Sequence, residues 1–556
     1  MNTPEAPVIP VDDALSLPRV LIGQAERHGD KPLLIFPRTG EHITYAGLVA
    51  AAEAGSTRLR TAFAIPAGTT AAIFLGNQPA FVEAWFICLF AGIVDVPVNH
   101  ELRRSALLFA LATARVEVIV TDADGFAALL DPEVAGYLAQ LRLIILTEPC
   151  ARGPGPPGGN ASCAVVALTE LAAPGPADGL WRAVQASALA SIRYTSGTTG
   201  NPKGIMHSHL HMLAKSAVQN RILEFAGTDL LYSPFPLHHN LSSINGLIGA
   251  LQAGATMASA GRFSASRYWP EIRDCGATLG HILPPLMPIL LSQPEHPDDR
   301  RHAVRHLWTA PRSERFNARF GVETVTSYSL SEVGTIAHRR DGGTEGSPAT
   351  GVPSPDMTVA IVDAVDRPLP PGEDGEIVIR PQHPYRMLLG YYNDLPATLR
   401  AFRNCWYHTG DRGLIDSAGE LHFLGRMGDT IRRRGLNISA DQIGAEILRH
   451  PMVTACAVIG VPSPLGDEDI LAVIVPQPSA QEPEHRMPAP LLAELPAFLA
   501  ERLPRTHVPR FFEFTASLPR TETGKVRLAE VRRMRRTGPV WDRETQQWIG
   551  PDDCPA

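Results

Sequence analysis

The sequence predicts an α/β fold: a large N-terminal domain of mostly parallel α/β subdomains with a small β-subdomain, then a smaller C-terminal α+β domain. Three observations predict it. Short apolar runs alternate with helical patterns over residues 70–120 and again over 229–325, the rhythm of parallel strands covered by helices on both faces. Composition shifts near Gly425, from short strands with Gly, Pro and Asp turns (363–380, 414–424) to alternating helical and strand patterns at 443–448, 455–460, 470–475 and 491–503. The 556 residues suffice for more than one core. The expected division is 1–425 and 426–556.

In chain order, a helical pattern opens the chain at 17–28, and Thr44 is placed to cap a second helix. Strand patterns at 71–75, 94–98 and 116–120 enclose a helix over 79–92. Residues 150–181, rich in Pro, Gly and Ala, read as a long surface loop. A buried strand is expected at 188–193 and a helix at 205–218. Residues 476–490 form a polar, Pro-rich loop, and the polar tail beyond Arg533 carries Trp541 and Trp548, which can dock on the body. No repeat of fixed period is present.

Composition excludes several classes. A net charge of −7 gives no basic field for nucleic acid. Residues 1–15 have neither the positive start nor the apolar centre of a signal peptide. The longest apolar stretch, 84–96, is interrupted by Asp95 and is too short to span a bilayer. Seven scattered cysteines without a CxxC pair argue against a zinc site or disulfide framework and fit a reducing cytoplasm.

The chemistry concentrates in one stretch: Tyr194, Thr195, Ser196, Gly197, Thr198, Thr199, Gly200, Asn201, Pro202, Lys203, Gly204. Glycines let the backbone approach a ligand closely, successive N–H groups form an anion nest, and Lys203 adds a mobile cation. These features suit a polyphosphate. Pro202 before Lys203 excludes a Walker A loop, which has Gly there. A Ser/Thr/Gly linker is the plainer alternative, but a linker does not ordinarily combine a preceding strand with a Pro-Lys-Gly close.

This stretch resembles the phosphate loop of the adenylate-forming superfamily, and further stretches resemble that family's motifs in the same order. Phe235 to Asn240 resembles an aromatic-His stretch beside the acyl pocket, with His239 in the His position; a metal ligand or a structural loop histidine are the other readings. Thr326 to Glu332 resembles Tyr-Gly-x-Thr-Glu, which implies Tyr328 stacking on adenine, Ser331 at the α-phosphate and Glu332 on Mg²⁺. Ser329 departs from the usual Gly. Trp406 to Asp411 resembles Tyr-x-Thr-Gly-Asp, which implies that Asp411 accepts from both ribose hydroxyls; a Gly-Asp turn is the alternative. Pro519 to Lys525 resembles the lysine loop, which implies that Lys525 bridges the carboxylate and the α-phosphate; an exposed turn lysine is the alternative.

Gly425 to Gly435 resembles the family's hinge, with Arg426 at the nucleotide, Gly428 in the pivot position and Gly435 among the cofactor-binding positions. Arg432 to Arg434 are placed to meet CoA phosphates or to form a solvated face. Leu436, Gln442 and Gly444 depart from the family pattern.

The resemblance extends from about Leu17 to Arg532 and is strongest to crotonobetaine-type acyl-CoA ligases of small or medium acids. It implies an acyl-CoA ligase using ATP, Mg²⁺ and coenzyme A through an acyl-adenylate, with the small domain turning between half-reactions. CoA is the expected acceptor because the chain ends without a carrier domain. A separate carrier protein is one alternative. Another is a ligase of the thioester half alone, fed by an upstream adenylating enzyme, because Trp308, Thr309 and Ser329 add bulk around the purine position. The acid and the oligomeric state are not legible.

Overall fold

A computed structural model describes residues 15–148, 163–195, 202–308, 312–340, 349–427, 430–433, 436–463, 467–477, 489–521, 524, 526–534 and 539–550. Two sheets organise the large domain. In the first, Pro32–Ile35, Thr256–Ser259, Leu230–Ser233, Leu279–His281, His306–Trp308 and Glu323–Leu330 run side by side in parallel. The sheet then continues antiparallel through Gly334–Arg339, Ala349–Pro353, Leu421–Arg426, Trp406–Ile415, Gly375–Pro381 and Met357–Val362. In the second, Lys203–Ser208, Leu189–Thr195, Val94–Pro97, Thr70–Phe74, Val118–Thr121, Leu143–Leu146 and Ala164–Ala167 follow one another, and Gly390–Tyr391 pairs on the outer edge of Lys203–Ser208.

Continuous apolar runs make the central strands. Every residue of Thr70–Phe74 and of Leu143–Leu146 is buried, as expected where helices cover both faces. The helix Pro79–Phe90 is apolar nearly all round and lies between layers, with Trp85, Phe86 and Phe90 fully enclosed. Thr44 does cap its helix, accepting from the Gly47 N–H.

Two local expectations are corrected. Residues 205–208 are strand, and the helix begins at His209, because Ser208 caps it by accepting from the His211 N–H at 3.1 Å. Residues 164–172 are not loop: Ala164–Ala167 joins the sheet edge beside Leu143–Leu146 and runs into the short helix Leu168–Ala172.

The C-terminal domain wraps a sheet of Val453–Pro462, Glu468–Pro476, Phe511–Phe514, Val540–Asp542 and Gln547–Ile549. The helices Ala440–Leu448 and Ala489–Ala500 pack on it through Ile443, Ile447, Leu491, Leu495 and Leu499. The tail docks as expected, with the Trp541 and Trp548 rings 5.2 Å apart on paired strands. Among the described residues no helix is long and apolar enough to cross a membrane.

Candidate active site

The site is built where the first sheet changes from parallel to antiparallel. Asp411 and Arg426 are register partners on adjacent strands, and Arg426 Nε lies 2.8 Å from Asp411 Oδ1. Tyr328, from a third strand, donates its hydroxyl to Asp411 Oδ2 at 2.5 Å. Asp411 is 1 % exposed, so its charge needs these partners. The Gly-Asp pair is not a turn; it lies inside the strand Trp406–Ile415. Gly410 takes φ 70 there and gives its N–H to Glu376, while Thr409 Oγ1 accepts from the Asp411 N–H at 3.0 Å.

The Tyr328 ring is buried and packs on Phe423 with centroids 5.4 Å apart. Burial and the Asp411 charge push its phenol far above the usual range, so it remains a donor. In this geometry its hydroxyl holds the carboxylate, and the ring is not laid open for stacking as the resemblance implies. Ser329 follows a register shift and is exposed, its Oγ 3.3 Å from Thr335 Oγ1. Trp308, also expected to crowd the purine, is 2 % exposed in the main core. Thr309 lies outside the described residues.

Ser331 and Glu332 sit on the turn after Tyr328. The Glu332 carboxylate accepts from the Tyr391 hydroxyl at 3.1 Å, and Tyr391 in turn meets the Tyr407 hydroxyl at 3.2 Å. Lys203 Nζ stands 5.0 Å over the Tyr391 ring, within cation–π reach. Tyr391 pairs in register with Ile205, so one aromatic ties the second sheet to the Glu332 turn. Sequence reading gives no role to Tyr391 or to Tyr407, although Tyr407 stands in the Trp406 to Asp411 stretch; the Gly-Tyr-Tyr run at 390–392 is the signal for Tyr391.

Thr195 and Lys203 are register partners of one antiparallel pair, so both ends of the phosphate-loop stretch are pinned. Ser196, Gly197, Thr198, Thr199 and Gly200 lie outside the described residues, as do Gly428, Arg434, Gly435 and Lys525. The neighbours of Lys525 are placed: Gly524, at φ 81, lies against Pro285, and Arg520 donates to the Gly524 carbonyl at 2.6 Å. The lysine loop therefore meets the large domain just beyond the strand Leu279–His281.

His239 begins the wide π-type turn Leu241–Ile248; its carbonyl accepts from the Ser243 hydroxyl at 3.0 Å and its Nδ1 from the Leu241 N–H at 3.3 Å. His281, fully buried nearby, is held neutral, its pKa pushed down to about 3 by burial and then by the His239 charge. Of the basic run, Arg433 is not available to CoA: it is 3 % exposed and ion-paired to Asp469 at 3.0 Å. Arg432 is exposed.

Residues 22–392 match the AMP-binding enzyme family, and residues 442–525 match the AMP-binding enzyme C-terminal domain. The chain is 29 % identical over 518 residues to the crotonobetaine/carnitine–CoA ligase of Citrobacter koseri, covering 90 % of this chain and 96 % of the relative. It is 29 % identical over 526 residues to the sulfoacetate–CoA ligase of Cupriavidus necator, covering 92 % and 96 %. In fold it resembles an anthranilate CoA ligase in complex with anthranoyl-AMP (TM-score 0.81, 20 % identity, 95 % of this chain and 98 % of the other). It also resembles a benzoate CoA ligase from Burkholderia xenovorans (TM-score 0.79, 23 %, 93 % and 100 %). The chain belongs to the AMP-binding enzyme family, with that family's large mixed α/β N-terminal domain and smaller C-terminal domain.

Proposed function

We infer that this chain is an ATP-dependent, AMP-forming acid–CoA ligase. A carboxylate attacks the α-phosphorus of ATP to give acyl-adenylate and pyrophosphate; the CoA thiol then attacks the acyl carbon and AMP leaves. The observation that carries the reading is the convergence of Tyr328, Asp411 and Arg426 beside the Glu332 turn, in a chain of this family.

Asp411 is the ribose acceptor. A carboxylate offers about four lone-pair sites, enough to accept from both ribose hydroxyls as well as from protein donors. Thr195 to Gly200 with Lys203 hold the phosphates, His239 lies beside the acyl carboxylate, and Ser331 meets the α-phosphate. Glu332 suits Mg²⁺, which favours few carboxylates together with phosphate oxygens. Among the described residues no Lys or Arg is ion-paired to its carboxylate, and Tyr391 donates to only one oxygen. Mg²⁺ there would offset charge on the transferring phosphate. Lys525 supplies a cation to the attacking carboxylate and the α-phosphate during adenylation.

Residues 1–425 and 426–556 move against each other about Gly428, withdrawing Lys525 before the thiol enters, and Gly435 serves among the cofactor-binding positions. The placement of Gly524 against Pro285 supports a role for the lysine loop at the large domain during adenylation. The relatives named for crotonobetaine, carnitine and sulfoacetate support a small acid as substrate. The test is a screen of small acids with ATP and either free CoA or an acyl-carrier protein. Thioester on CoA supports the reading; transfer to carrier protein with none to CoA replaces it.

A further inference from the structure

The turn bearing Ser331 and Glu332 is held from inside the protein by two buried cations. Lys215, on the helix His209–Leu223, is 2 % exposed and its ammonium donates to the Ser331 carbonyl at 2.8 Å. Arg386 is 3 % exposed, ion-paired to Asp356, and donates to the Val333 carbonyl at 2.7 Å and the Thr335 carbonyl at 3.4 Å. Gly334, between those carbonyls, takes φ 89; a Cβ there would lie 2.8 Å from Lys215 Cγ and 3.5 Å from Arg386 Nη1. Glycine takes this positive φ without strain and leaves space for the Lys215 stem, while Arg386 would be met only at ordinary contact distance.

Such burial is costly. Desolvation and the Arg193 charge push the Lys215 ammonium down to about 7, and the Glu332 charge is the opposing attraction. His207 and His211, stacked at 4.6 Å, are kept far below their ordinary range by burial and by each other or Lys215, so they stay neutral and add no further positive charge beside the ammonium. A lysine serving only to fill this space would be better replaced by an apolar residue. Among the described residues its hydrogen bond goes to the carbonyl immediately before Glu332. Glu332 is also fixed by the Leu388 N–H on its carbonyl at 2.9 Å and by Tyr391 on its carboxylate.

We propose that Lys215 and Arg386 are positioning residues that hold the 331–335 turn by its carbonyls and so set where Ser331 and Glu332 stand for adenylate formation. This rests on the roles assigned to those two residues above. Neither cation need touch substrate; the effect travels through three backbone carbonyls.

Lys215→Met keeps the length of the stem and removes the ammonium. In the full chain, the Mg²⁺ dependence of ATP–pyrophosphate exchange is compared with AMP affinity and with CoA thioester formation from synthetic acyl-AMP. Lys215→Met is expected to raise half-saturating Mg²⁺ and slow exchange by about 10- to 100-fold, the usual scale for partners that orient a metal ligand. AMP affinity and the thioester half stay near wild type. Arg386→Lys, which keeps the charge facing Asp356 but loses the forked contact, shows the same pattern more weakly and serves if Lys215→Met does not fold. In Lys215→Met/Glu332→Gln the Mg²⁺ effect does not exceed that of Glu332→Gln alone, because the two act as one unit. Unchanged half-saturating Mg²⁺, or both half-reactions falling together with melting temperature, overturns the proposal. Absent exchange in wild type that still forms thioester overturns the reading beneath it.

Discussion

Tyr328 and Asp411 share a 2.5 Å hydrogen bond between strands 83 residues apart in sequence. It holds one carboxylate oxygen while Arg426 is ion-paired to the other, so the carboxylate proposed to accept the ribose hydroxyls is fixed in orientation by the protein itself.

Asp411→Ala should therefore weaken AMP or acyl-adenylate binding by about 1.5–3 kcal/mol, the range for hydrogen bonds to a charged group. Tyr328→Phe keeps the charge and should cost less. Calorimetry checks both; unchanged affinity in Asp411→Ala removes the ribose assignment.

A second buried pair lies behind the phosphate-loop strand. Asp95, fully buried, accepts from Trp85 Nε1 at 3.0 Å and from the Ser191 hydroxyl at 2.9 Å, with Arg193 Nη2 at 3.7 Å. Arg193 also reaches Ser243 at 2.6 Å and lies over the Trp85 ring. Arg193→Leu alone should destabilise by about 3–5 kcal/mol, because it leaves Asp95 unpaired, while Asp95→Val/Arg193→Leu should recover most of the loss. Chemical denaturation of the three chains decides; equal loss in the single and double variants would show that the pair is not coupled.

Four buried histidines make the fold acid-sensitive. Burial is the largest cause in each: His209 and His281 are pushed down to about 3, and His207 and His211 well below 6.5. The unfolded chain then binds more protons than the folded one below about pH 6.5, so stability falls as pH drops through that value, by up to about 1.4 kcal/mol per pH unit for each group. Asp95, raised to about 6 by burial, runs the other way and offsets one histidine between about 6 and 3.8. Melting temperature measured from pH 7.5 to 5 should decline, and His209→Asn should flatten the slope. A pH-independent melting temperature would contradict this account.

Much of this site was legible because its pieces are local in sequence. Asp411 and Glu332 stand in short recognisable runs, and their strands bring them to one end of the sheet. What was not legible depends on pairing between distant segments. Tyr391 reaches Glu332 only because Gly390–Tyr391 adds to the edge of Lys203–Ser208, a pairing no local pattern announces. Lys215 sits on a helix where it would ordinarily be placed at the surface. Residues 205–208 fit strand and helix equally because four residues carry no decisive period; Ser208 as a cap is the deciding signal. Ala164–Ala167 was hidden by the Pro- and Gly-rich run before it.

Gly425 adopts φ 117, and a Cβ there would come within 2.9 Å of Ser439 Oγ and 3.2 Å of Asp441 Oδ2. Gly425→Ala should thus disturb the packing of the first C-terminal helix on the large domain and strain the backbone, by about 1–3 kcal/mol. If residues 425–428 form the hinge, adenylation and thioester formation change by different factors. Equal loss in a folded variant would place the pivot elsewhere.

The central claim is that one chain performs both half-reactions. Two assays on the same preparation test it most directly: ATP–pyrophosphate exchange with the cognate acid, and CoA thioester formation from synthetic acyl-AMP, each for wild type and Lys525→Ala. The account predicts that wild type performs both and that Lys525→Ala loses exchange while largely keeping thioester formation. Fast thioester formation by a wild type that shows no exchange, or equal loss of both by Lys525→Ala, would contradict it.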